Sequence, residues 1–163
     1  MCLTVYKNLK LKEAKSDIDC YKVVKKAPWG EYVTPYVNSP INMGKVNLAK
    51  GKLQYKTIMK STIFGNVYEI ENGLIHCISD KRSAIELCDY LNNNTFFENI
   101  CAVVGCKIIK GSKYISGTFD GAYPSIGGKK VKYLDIVYKP SQYEDTSTIT
   151  AEVSNNMNTI SIF

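Results

Sequence analysis

The chain has 163 residues, 45% hydrophobic and 22% charged, with six cysteines and a formal net charge of +6. That length and balance describe one globular domain with a real core and exclude a disordered chain. The positive charge comes from lysines and a single arginine, Arg82. Arginine is the residue of bidentate phosphate and base recognition, so one arginine weighs against a dedicated nucleic-acid binder and favours a solubilising lysine surface. Apolar runs such as 100–104 fall far short of the roughly 20 residues a membrane-spanning helix needs. The first seven residues lack the pattern of a secretory leader, so a reducing, cytoplasmic compartment is expected.

In chain order, Leu3, Thr4, Val5 and Tyr6 predict a first strand. A lysine-rich polar connection follows over 7–16. Residues 18–24 read as a strong strand, 25–30 as a turn through Pro28 and Gly30, and 32–34 as the returning arm of a hairpin that Pro35 ends. Residues 38–51 read as loop. Over 53–60 a near period of two predicts a half-exposed strand.

The organising unit spans 67–91 and reads strand, turn, strand, helix. Glu71-Asn72-Gly73 is the turn and 74–78 the second strand, carrying the sole histidine, His76. Ser79 is the expected cap of a helix over 79–91. Its apolar positions Ala84, Leu87, Cys88 and Leu91 follow the i, i+3, i+4, i+7 rule. Asn92-Asn93-Asn94 is a polar stop, where asparagine tolerates the left-handed conformation.

Residues 100–109 form the most apolar segment, expected as a central strand buried on both faces, with Gly105 marking a bulge or a close approach. Lys110-Gly111-Ser112 turns into a strand over 114–118, a glycine-rich loop covers 119–130, and 131–138 alternates as a further strand. There Val131, Tyr133, Asp135 and Val137 share one expected face. Residues 1–140 are expected as one domain. Residues 141–163 make a tail or arm, of which 149–163 fits a strand, a short helix or an ordered arm equally.

The expected fold class is therefore α+β: a mostly antiparallel, twisted sheet, with room for a split, and one main helix packed on it.

Several constellations carry chemistry on paper. Cys2 follows Met1, the arrangement an N-terminal nucleophile hydrolase needs, although a small apolar residue opening a strand explains it equally well. A Cys–His pair requires both side chains on one face, and neighbours in a strand point to opposite faces, so Cys77 does not serve His76; Cys20 or Cys101 on adjacent strands remain as partners. His76 also reads simply as a hydrogen-bonded structural histidine. No CxxC pair or second histidine supports a zinc site. Buried reduced thiols account for most of the cysteines. The glycines of 117–128 match neither a P-loop nor a dinucleotide fingerprint. Tyrosines interleaved with lysines over 113–138 suit stacking on a nucleotide and suit an ordinary strand surface as well.

Met1-Cys2-Leu3-Thr4-Val5-Tyr6-Lys7, Asp17-Ile18-Asp19-Cys20-Tyr21-Lys22-Val23 and Tyr32-Val33-Thr34-Pro35-Tyr36 resemble a family of small proteins from gut Bacteroidetes and their tailed phages, crAss-like phages included. Gly73-Leu74-Ile75-His76-Cys77-Ile78 and the run 106–114 continue the likeness, which covers roughly 1–138. The family implies a bacterial host cytoplasm or a virion as context and no particular chemistry. A fainter resemblance, through Gly73-Leu74, Ser79, Ala84 and Tyr90, is to the ADP-ribosyltransferase-like fold. The first-motif histidine or arginine of that fold falls near Tyr21-Lys22, and its catalytic glutamate falls where Gly128, Lys129 and Lys130 stand. The resemblance thus implies a retained pocket without transferase catalysis.

Together these readings give a non-catalytic phage-type accessory protein that binds a small ligand, a nucleotide among them, or a host protein. The residues expected at the ligand are Tyr21, Lys22, His76, Ser79 and Tyr114, with no catalytic residue, metal or cofactor. A virion or assembly component and an N-terminal cysteine hydrolase are the alternatives.

Overall fold

The computed structural model describes residues 2–94 and 100–140. The expected tail, 141–163, lies outside the described residues. The chain runs through β1 (Leu3–Tyr6), β2 (Lys12–Glu13), β3 (Ile18–Lys26), β4 (Tyr32–Val33), β5 (Val46–Leu48), β6 (Gln54–Met59), β7 (Val67–Asn72) and β8 (Ile75–Ile78). Then come α1 (Lys81–Asn92), β9 (Cys101–Ile108), β10 (Lys113–Phe119), β11 (Tyr123–Gly128) and β12 (Lys130–Tyr138). The strands join in the order β5-β12-β9-β3-β8-β11-β10-β1-β7-β6, with β2 beside β10 and β4 beside β3. Every ladder is antiparallel.

The α+β class expected from the sequence is corrected by this architecture. Among the described residues twelve strands and one twelve-residue helix make a mostly β fold, in which the helix covers one patch of the sheet instead of forming a layer. The shift comes from segments read as connections. The glycine-rich stretch 119–130 contains β11, which pairs with both β10 and β8. Its glycines are there for clearance: a Cβ on Gly127 would lie 3.0 Å from Leu3 Cδ2, and one on Gly128 3.0 Å from Ile108 Cγ1. The 38–51 loop contributes β5, and the 7–16 connection contributes β2.

Smaller corrections follow the same logic. The helix is capped by Asp80, whose side chain accepts from the Ser83 N–H at 2.8 Å, while Ser79 uses its own N–H to reach the Pro124 carbonyl. The helix ends on Asn93 in a right-handed conformation, with Asn92 still helical and buried. β6 is exposed at all six positions where half exposure is expected, because it is an outer strand and none of the described residues covers either face. In β12 the register shifts between Tyr133 and Ile136, so Val131 and Tyr133 are buried while Asp135 and Val137 are exposed. That shift lies opposite Gly105, where a Cβ would stand 3.1 Å from Val137 Cγ1.

β3 and β9 form the centre, paired over eight consecutive positions from Ile18↔Ile108 to Lys25↔Cys101. Alternation splits their side chains between two cores. Cys20, Val24, Ala102, Val104, Cys106 and Ile108 face one core, with Val131 and Tyr133 of β12. Val23, Cys101 and Val103 face the other, beneath Ala84, Leu87, Cys88 and Leu91 of α1. The apolar stripe read from the sequence is thus the surface that the helix buries. A third core lies under β1 and β7, around Leu3, Val5 and Ile70. Among the described residues, no helix is long and apolar enough to cross a membrane.

Candidate functional site

The site begins with a break in hydrogen bonding along one edge of β3. On that edge β8 pairs at a single position, Tyr21↔Ile78, and β4 pairs only at Lys25 and Lys26. Lys22, Val23 and Val24 therefore have β9 on one side and no strand partner on the other. A cavity of about 700 Å³ opens at this window. Lys22, Ile75, His76 and Tyr133 line it, with Leu87 and Leu91 of the helix, and the segment from Thr34 to Lys50 supplies most of the remaining wall. Its size suits a small organic ligand.

Lys22 lies on the face of β3 that carries Cys20 and Val24, and it is only 7% exposed. Its Nζ spans the window and donates to the His76 carbonyl at 2.6 Å. Among the described residues no carboxylate stands within ion-pair distance of it. A buried ammonium whose protein partner is a neutral carbonyl is costly, because burial penalises charge and a carbonyl supplies only part of the compensation.

Tyr133 stands two strands away, across β9, with its ring in the same core and 4% exposed. Its hydroxyl has no hydrogen-bond partner among the described residues. Burial raises the Tyr133 phenol above its ordinary range, with the nearby cysteines adding to the effect.

Beside Lys22 lies a group of three thiols. Cys20 and Cys106 face each other directly across β3 and β9, and Cys77 of β8 completes the set. Their side chains hydrogen-bond to one another. Bonds from Cys106 and then Cys20 hold Cys77 well below its ordinary thiol range, against burial and with help from the Lys22 charge. Cys20 is driven up, first by its bonds with Cys106 and Cys77 and then by burial. Cys106 is drawn down by its bond with Cys20, but the bond with Cys77 and burial outweigh that and leave it raised. Among the described residues no set of three or more His, Cys, Asp or Glu has the arrangement to hold a metal ion.

Of the five residues expected at a ligand, the structure brings two together: Lys22 and His76 both line the cavity. Tyr21 points to the helix-side core on the opposite face of β3, and Tyr114 packs against the other core from β10. Ser79 sits between β8 and the helix cap. None of these three lines the cavity. Cys2 is exposed at the edge of β1 and takes no part in it. Tyr133 was legible only as one position in an alternating strand; its role depends on which strand lies beside β9. Comparison with family models, curated proteins and solved structures finds no match to this chain.

Proposed function

We propose that this chain is a non-catalytic accessory protein of the kind tailed phages carry, acting in the host cytoplasm by binding a small ligand in the Lys22–His76 cavity. A nucleotide is the first class to test. The observation that carries the reading is the break in the β3 edge, which leaves a cavity of about 700 Å³ beside a buried lysine on a central strand of the sheet. The non-catalytic part rests on the same geometry: His76 and Cys77 are adjacent on β8 and face opposite ways, so they do not form a nucleophile–base pair.

A thermal-shift screen with NAD, ADP-ribose, cyclic ADP-ribose, cyclic dinucleotides and ATP tests the binding. A ligand at about 100 times its Kd stabilises the fold by roughly 2.7 kcal/mol, a readily measured shift. A panel without any shift removes the nucleotide assignment. Turnover of NAD by the purified chain removes the non-catalytic one.

A second reading, an assembly or virion component, is favoured by a different observation. β6 is a terminal strand of the sheet, exposed along its whole length, with Tyr55, Ile58 and Met59 about half exposed and Ile63 and Phe64 in the following turn more so. Unpaired edges with apolar side chains are templates for strand addition. Light scattering across a concentration series tests it; a monomer at every concentration, with no capture by virion proteins, sinks it.

A further inference from the structure

The cavity reading has a chemical consequence. We propose that Lys22 and Tyr133 form the seat for one singly charged oxyanion, a carboxylate or a phosphodiester, carried by the ligand. This inference rests on the cavity being a ligand site and specifies what the site recognises.

Two hydrogen-bond donors point to it independently. Lys22 carries three N–H donors, and its one hydrogen-bond partner among the described residues is the His76 carbonyl. Tyr133 carries a hydroxyl with no protein partner among the described residues. Both side chains are more than nine-tenths buried, and both line the same cavity. They are on one face of the sheet: Lys22 pairs with Val104 and Tyr133 with Cys106, on either side of β9 and two residues apart along it. Lys22 reaches from that face across the window toward β8, Tyr133 enters from β12, and the cavity is the space the two donors share. An oxyanion in that space accepts from both and supplies the counter-charge that no described carboxylate gives the ammonium.

The charge balance selects the class. The one buried cation in the lining is Lys22; Lys50, the other lysine there, is exposed, and so is the only carboxylate, Glu71. One buried positive charge matches one negative charge on the seated group. A phosphomonoester dianion would leave a charge without a partner. The protein contains one internal competitor. Cys77, on the neighbouring strand β8 and in the same core, is influenced by the Lys22 charge, and a thiolate there would compete as its counter-ion. The experiment has to separate the two.

Isothermal titration of the full chain against benzoate, benzamide, cyclic AMP and AMP does so. Benzoate tests the carboxylate source and cyclic AMP the phosphodiester source. Benzoate or cyclic AMP is expected to bind, with benzamide or AMP respectively weaker by roughly tenfold, as a lost charge-assisted hydrogen bond requires. Lys22→Met is expected to lose the charged probe. Tyr133→Phe, which keeps the ring and its packing, is expected to weaken that probe severalfold and keeps the test decisive should Lys22→Met fail to fold. Equal binding of benzoate and benzamide, or of a nucleotide to wild type and Lys22→Met, overturns the oxyanion seat while leaving a ligand cavity standing. Binding of benzoate or cyclic AMP to Cys77→Ala but not to wild type also overturns it, because Cys77 is then the partner of Lys22. Absence of binding by every probe to both proteins overturns it as well.

Discussion

Asn92 Oδ1 accepts from the Cys101 N–H at 2.7 Å, and Asn92 Nδ2 donates to the Cys101 carbonyl at 3.0 Å. One side chain thus satisfies both backbone groups at the start of β9 and locks the last turn of α1 to the central strand. All of these atoms are buried, so water does not replace the bonds if the amide is removed. Asn92→Ala is expected to cost about 2–6 kcal/mol, from two orphaned buried groups at about 1–3 kcal/mol each. Denaturant unfolding measures it. A loss below about 1 kcal/mol would mean that the backbone finds other partners.

The same helix is held a second way. The Tyr138 hydroxyl donates to Asp89 Oδ1 at 2.7 Å, and that bond, followed by burial, raises the Tyr138 phenol to about 12. A phenol raised in the folded state is protonated more tightly there than in the unfolded chain. Its contribution is complete below the unfolded value of about 10 and disappears as pH climbs through 12. Between pH 10 and 12 wild type is therefore expected to lose more stability than Tyr138→Phe, which has no proton to release at that position. Parallel curves for the two proteins across that window would refute the assignment.

Glycine positions separate packing from conformation. Gly117 lies where β10 passes β1, and a Cβ there would collide with the Thr4 carbonyl oxygen, a backbone atom that cannot swing aside. Gly117→Ala is expected to cost about 3 kcal/mol or more or to abolish folding, as strong overpacking does. Gly121 has open space around its missing Cβ and a φ of +66°. Gly121→Ala is expected to cost only about 1 kcal/mol, the price of a left-handed conformation in a residue with a side chain. Melting temperatures of the two variants compare them directly, and equal losses would contradict the clearance argument.

The cysteines differ in reactivity by burial. Cys2 is exposed, and the other five are buried. Burial raises Cys88 to about 12, with Cys101 adding to it, and burial raises Cys101 to about 11. Ellman's reagent at pH 8 is expected to label one thiol quickly in the native protein and five more only after unfolding, since a bulky disulfide needs an accessible thiolate. Cys2→Ser should leave no fast thiol. A second fast thiol that maps to Cys77 would show that the reagent reaches the lysine window from the cavity.

Much of this molecule is determined by local pattern. The strands at 3–6, 18–24 and 100–109 and the helical stripe of Ala84, Leu87, Cys88 and Leu91 follow from the periodicity of apolar residues, because a side chain's direction in a strand or helix depends only on its place in the repeat. His76 was legible as the sole histidine, set in an apolar strand, and Lys22 only through the ADP-ribosyltransferase-like resemblance. What no local pattern contains is adjacency. Glycines at 127 and 128 read as loop until the neighbours that need the space, Leu3, Leu74 and Ile108, are in place. That misreading, with the missed β5 and β2, is why a mostly β fold read as α+β. The candidate site depends on adjacency even more. The gap along β3 exists because β8 and β4 each stop short of Lys22–Val24, and Tyr133 joins the site because β12 lies beside β9. Strand pairing is a long-range choice among edges that look alike in sequence, settled only when the whole sheet closes over its cores.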